Sequence, residues 1–254
     1  MTHARLVLAL ALLSVSASPA LARQDEPIVK LGDGVVDGSF IKPYACRWKL
    51  VGRGKDGSVK EMGTWSDDVR IETRDGKPVL RRRQVWNYGQ GIEGYFNLVD
   101  QKTLAPILSH YTNTPGVYYR FEYHDGAVRY QRSPLAMTEP MTQGDVKPSM
   151  PVFEFNAGMF GLLIACFPLA EDYEARFPVF PTFSPAAEPA WVDLHVEGRE
   201  KVTVASGKEI ECWRVIVNSP ATDEVMRFDL TREPPYVVRL QQEWEGRDWT
   251  FELI

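Results

Sequence analysis

The residues best able to carry chemistry are two glycine runs, three dispersed histidines, three cysteines, an acidic run and a triple arginine. Gly52, Gly54 and Gly57, and again Gly89, Gly91 and Gly94, match G-x-G-x-x-G. That pattern holds a pyrophosphate only when a strand leads in and the N–H groups of a helix N-terminus follow. Strand-forming residues follow both runs here, which places these glycines in turns. The sequence contains no G-x-x-x-x-G-K-[ST] loop and no G-x-S-x-G nucleophile elbow. His110, His124 and His195 lie far apart, and no zinc-ligand spacing joins them to a cysteine. Neither a metal nor a cofactor is expected. Glu171, Asp172 and Glu174 could in principle supply the paired carboxyls of a glycosidase, but such a run more simply forms a solvated face. No catalytic residue is assigned, and the expectation is a protein without enzymatic activity.

Arg81, Arg82 and Arg83 carry two readings. In a strand they put two guanidiniums on one face and one on the other, as on an edge strand kept soluble by charge. Alternatively they contact the anionic head group of a ligand, a task suited to the planar guanidinium. Cys46, Cys166 and Cys212 are odd in number and lack C-x-x-C spacing, which favours three small buried side chains. A Cys166–Cys212 bridge remains open; it would contribute roughly 4 kcal/mol in the chain-entropy model.

Composition narrows the partners. The 254 residues hold 29 Lys+Arg against 34 Asp+Glu, a net charge of -5, which argues against a nucleic-acid partner. A hydrophobic share of 44% with 25% charged residues is that of a folded chain and excludes wholesale disorder, collagen and coiled coil. Residues 1–22 read as a secretory signal peptide: Arg5, an apolar run from Leu6 to Leu13, then Ala20-Leu21-Ala22, with cleavage between Ala22 and Arg23. The run is too short to span a bilayer, so no transmembrane anchor is expected after cleavage. The first cysteine is Cys46, so no lipoprotein cleavage site is present. The expected location of the mature chain, 23–254, is the periplasm or the exterior, both oxidising.

The elements that must position these residues are mostly strands. Asp56-Gly57, Asp75-Gly76 and Asp125-Gly126 each separate strand-forming runs, a strong hairpin signal. Tyr44, Cys46, Trp48 and Leu50 alternate with Arg47 and Lys49, and Tyr119, Phe121 and Tyr123 alternate with Arg120 and Glu122. Such strands place one face on a core and the other in water. A Pro-rich segment, 133–190, interrupts the pattern. Inside it a Pro-free stretch predicts one helix over Ala157–Cys166, capped by Asn156, apolar all round and stopped by Pro168. Strands return at Trp191–Val196, Arg199–Val204, Glu209–Val217, Val225–Leu230, Tyr236–Trp244 and Trp249–Leu253, with a turn at Ser206-Gly207.

The expected fold is one mainly β domain: a curved antiparallel sheet, an open half-barrel, packed around one short buried helix. A meander barrel, the main rival, needs no helix in mid-chain. Seven Trp, ten Tyr and twelve Phe supply a large aromatic surface. They either fill the core or leave a groove for an apolar ligand, lined by Trp86, Tyr119, Phe121, Tyr123, Phe160 and Leu163.

Several short motifs resemble a known family. They are the apolar helix running into Phe167-Pro168-Leu169, Gly198-Arg199-Glu200, Ser206-Gly207, Cys212-Trp213-Arg214-Val215, Pro235-Tyr236-Val237-Val238-Arg239 and the stretch Asp100 to Pro106. Together they resemble the exported bacterial family catalogued as domain of unknown function 3108. The resemblance implies no assigned activity and no catalytic residues. It also implies a curved sheet wrapped partly around a helix, similar to the periplasmic carriers LolA and LolB. The function expected is a binding module for a lipid or other apolar ligand. The alternatives are an envelope protein that pairs through a strand edge and a hydrolase built on dispersed carboxylates.

Overall fold

A computed structural model describes residues 27–254 except 115, 134–139, 157, 183, 220–223, 245 and 246. The expected signal segment and its boundary at Ala22 and Arg23 lie outside the described residues. Fourteen strands form one antiparallel sheet that is curved and not closed into a barrel. The first eight are β1 (Tyr44–Arg53), β2 (Val59–Arg74), β3 (Lys77–Asn87), β4 (Ile92–Asp100), β5 (Pro106–Asn113), β6 (Tyr118–His124), β7 (Ala127–Ser133) and β8 (Thr142–Val146). The rest are β9 (Glu174–Val179), β10 (Ala190–Thr203), β11 (Glu209–Ser219), β12 (Glu224–Leu230), β13 (Val237–Trp244) and β14 (Arg247–Leu253).

Local turn chemistry explains the hairpins. Asp75-Gly76 and Asp125-Gly126 hold φ of 51° and 76°, and of 51° and 75°. Two consecutive positive φ values are what a type I′ turn needs, and its twist matches that of the strands it joins. The sheet order runs β8 to β1, then β14 back to β9. Two meanders therefore meet at a central seam, where β1 and β14 pair with Trp48 opposite Leu253. Trp48 Nε1 also donates to Val237 O at 3.1 Å and pins β13 to the same place.

This order leaves β8 and β9 on opposite edges, so residues 147–173 must cross from one to the other. They do so over the concave face and carry α1 (Leu162–Ala165), the one helix among the described residues, whose residues are all buried. Its side chains share one core with Val69, Leu80, Val192, Val215 and Phe228, drawn from strands of both meanders. The crossover also covers part of the β9 edge: Phe153 N donates to Pro178 O at 2.9 Å, and Phe180 N to Phe153 O at 3.0 Å. Residues 27–29 cover the rest, with Val29 N on Arg176 O at 2.8 Å.

The helix is shorter than the sequence predicts. Of the expected Ala157–Cys166, whose first residue lies outside the described residues, one turn forms, because Gly161 takes φ +65°, a conformation that a right-handed helix cannot pass through. Glycine is needed there for space as well, since a Cβ would lie 2.4 Å from Val237 Cγ2. Asn156 caps no helix; its Oδ1 accepts from Gly158 N at 2.8 Å in a local turn. Two arginines satisfy carbonyls around α1: Arg82 Nη1 donates to Phe160 O at 2.9 Å, and Arg232 to Ala165 O and Phe167 O at 2.7 and 2.9 Å.

Two other expectations change, whereas the cysteines stand as expected. The Pro-rich segment contains β8 and β9 besides the helix, and the acidic run ends inside β9, where Glu174 faces His195. Trp191–Val196 and Arg199–Val204 form one strand, β10, which a bulge at Gly198 bends without breaking. All three cysteines are free thiols; Cys166 and Cys212 are buried in separate clusters, and Cys46 is half-buried.

Candidate functional site

The sheet's alternation decides what faces inward. On β2, β3 and β4 the inward set is Trp65 and Asp67, then Arg82, Gln84 and Trp86, then Glu93, Tyr95 and Asn97. On β5 and β6 it is Ser109 and Tyr111, then Tyr119, Phe121 and Tyr123. One end of this concave face is filled by residues 27–43. There Val29, Val36 and Ile41 are buried, Asp37 N donates to Cys166 O, and Gly38 N donates to Lys102 O. The other end is not filled. A cavity of about 530 Å³ remains between the sheet and Phe155, Asn156 and Phe160 of the crossover.

Thirteen of the 28 described residues that line it are aromatic. Tyr119, Tyr111, Tyr95 and Trp65 follow one another with ring centroids 5.6, 4.8 and 5.4 Å apart, and Trp65 stacks on Trp86 at 5.9 Å. Trp249 meets Trp86 edge-on at 6.1 Å, and Phe251 meets Trp65 edge-on at 5.5 Å. Stacked and edge-on pairs at these spacings add roughly 0.5–1.5 kcal/mol each beyond their buried area. Such a row is a stiff apolar wall, present before any ligand arrives.

Among the described residues, two charged side chains line the cavity, Arg82 and Glu93. Arg82 is 2% exposed and forms a forked pair with Asp67 at 2.8 to 3.1 Å. Tyr44 OH donates to the same carboxylate at 2.8 Å. Burial works against the charge on Arg82, and Asp67 more than offsets it, so the guanidinium stays protonated. Glu93 has a different setting. Tyr95 OH donates to its Oε2 at 3.1 Å, and Asn113 Nδ2 donates to the nearby Tyr111 hydroxyl at 3.0 Å. Burial raises the Glu93 pKa, and the two phenols partly oppose that.

Beside the cavity lies a buried polar knot. Tyr123 OH donates to Glu154 Oε2, and the amides of Asn156 and Asn97 donate to Ser109 Oγ at 2.8 and 3.3 Å. Burial lifts the Glu154 carboxyl to about 7 against the pull of these donors. The knot ties the crossover to β4, β5 and β6.

The expected groove is brought together in part. Trp86, Tyr119, Phe121 and Phe160 line the cavity. Tyr123 stands behind it, against Phe180 and Glu154, and Leu163 is 1% exposed in the core. The three arginines do not converge as a head-group clamp, because strand alternation sends Arg82 inward and its neighbours outward. Arg81 pairs with Glu72 and Asp68 on the outer face, and Arg83 is exposed. Glu93, Tyr95 and Tyr111 were not singled out from sequence. The available signal was an acid in phase with the aromatic positions of its own strand, Glu93 and Tyr95, where a polar outward residue is the rule.

Among the described residues, no three His, Cys, Asp or Glu gather as a metal site, and no helix is long and apolar enough to cross a membrane. Both glycine runs sit in strands and the turns between them, with no helix after either. No curated protein and no solved structure matches the chain. Residues 44–248, from the first residue of β1 into β14, match the family described as "Protein of unknown function (DUF3108)", and the chain belongs to that family.

Proposed function

We propose that the protein is an exported, non-catalytic binding module that holds a lipid or other apolar ligand between its sheet and its crossover. The observation that carries this reading is the cavity itself. Its volume of about 530 Å³ falls within the roughly 300–1,000 Å³ of small-molecule sites, and its wall is predominantly apolar, with aromatic side chains as its largest class. Export is supported by the signal-like character of residues 1–22. The test is native mass spectrometry of the chain purified from a periplasm, followed by organic extraction. A lipid-sized adduct that disappears in Gln242→Trp, a variant that fills the cavity from β13, supports the reading. A bare mass, together with failure of the folded protein to take up any apolar probe, refutes it.

One observation favours a second reading, pairing with an envelope partner through a strand edge. The outer edge of β8 carries no strand partner among the described residues, whereas the outer edge of β9 is covered. A monomer that captures nothing from envelope extracts counts against it.

A further inference from the structure

The cavity's two charged side chains also bear on what kind of head group an amphiphilic ligand would carry, a question that rests on the apolar-ligand reading above. All three Arg82 nitrogens are engaged: Nε and Nη2 on Asp67, and Nη1 on the Phe160 carbonyl. Its charge is cancelled by a carboxylate that is itself fully buried. Arg82 therefore acts as a fixture that holds the crossover to the sheet, and it has no net charge to offer an anion.

Glu93 is the opposite case. No cation pairs with it among the described residues, and it lies half-buried on the cavity wall, directly across from Trp86 in the β3–β4 ladder. One phenol, Tyr95, donates to it. A carboxylate has about four acceptor positions, so roughly three remain for a ligand once that phenol is in place. An acceptor set in an apolar wall favours a donor and repels an anion, since like charges placed together in a poorly solvated site are strongly unfavourable.

We propose that the cavity takes an amphiphile whose head is a hydrogen-bond donor without negative charge, an alcohol or an amine, seated on Glu93 with its chain along the aromatic wall. The sign is opposite to the anionic head group suggested by Arg81 to Arg83 in sequence.

A matched series of decyl probes tests this: decylamine, decanol, decanoate and decyl phosphate, each titrated below its micellar concentration and followed by tryptophan fluorescence and calorimetry. The amine and the alcohol are expected to bind at least about tenfold more tightly than either anion. In Glu93→Gln, whose amide both donates and accepts, the gap between amine and anion is expected to close to within about threefold. Anions that bind the folded wild-type protein as tightly as the alcohol and the amine overturn the head-group assignment while leaving the apolar cavity standing. If no decyl probe binds, the apolar-ligand reading itself falls and the assignment falls with it.

Discussion

Replacing Glu154 with glutamine isolates the energetic cost of one buried carboxyl. In the folded chain its pKa is raised from 4.5 to about 7, chiefly by burial. Between those two values the folded state holds a proton that the unfolded state has released. Stability from this group is therefore complete below about pH 4.5, falls as pH rises toward 7, and stays at the lower level above that. At about 1.4 kcal/mol per pH unit the loss is roughly 3 kcal/mol. Glutamine keeps the shape, keeps an acceptor for Tyr123 OH and does not titrate. The expected stability difference, Glu154→Gln minus wild type, is near zero at pH 4.5 and reaches roughly 3 kcal/mol in favour of the variant at pH 8. In a chain of this size that corresponds to about 6–12 °C in Tm. Urea unfolding followed by tryptophan fluorescence at the two pH values measures it, and subtracting the wild-type curve removes every other titrating group. A difference that is the same at both pH values, or a variant less stable than wild type at pH 8, refutes the reasoning.

Asp67→Asn leaves the Arg82 charge buried without its counter-ion and is expected to cost about 3–5 kcal/mol by urea unfolding, whereas the double change Asp67→Leu with Arg82→Met costs less than Asp67→Asn alone. Gly161→Ala adds a Cβ 2.4 Å from Val237 Cγ2 at φ +65°, while Gly207→Ala, at φ +80°, meets nothing within 4 Å. The first is expected to lose at least about 1 kcal/mol more than the second, since both bear the cost of the left-handed backbone and only one the clash. Burial raises the pKa of all three thiols. Alkylation at pH 8 without reductant should therefore be slow in the folded protein and complete at three sites in urea; a single label in urea would reveal a disulfide.

Most strands were legible because their signals are local. Asp75-Gly76 and Asp125-Gly126 need no distant partner to adopt positive φ, and each fixes a hairpin where it stands. The strands after Pro189 likewise follow from alternation alone. What escaped depends on contacts between distant residues. The helix shrank to one turn because Gly161 must fit against Val237 of β13, a neighbour that no local pattern announces. β9 escaped because Pro178 lies within it, and it is held by β10 on one side and by residues 27–29 and Phe153 on the other. The alternation that split the three arginines between two faces was readable, but the partner that neutralises Arg82 was not, since Asp67 reaches it only through the β2–β3 register. Glu93 was passed over because an acid in a strand usually marks the wet face. Its donor Tyr95 lies two residues along the same strand, while Tyr111 comes beside it only through the β4–β5 register.

The seam between the two meanders bears on the order of assembly. β14 follows every other described strand in the sequence, yet it lies in the middle of the sheet, between β13 and β1. Until it is available, the amino-terminal meander ends at a bare β1 and the carboxy-terminal meander at a bare β13. Each is an open row of backbone donors and acceptors able to recruit another chain. Closing the seam brings Lys49 opposite Glu252, joining residues from the two ends of the domain at a substantial loop-closure cost. A chain cut short before β14 thus opens a gap at the centre of the sheet rather than a frayed end, because both halves pair with the missing strand.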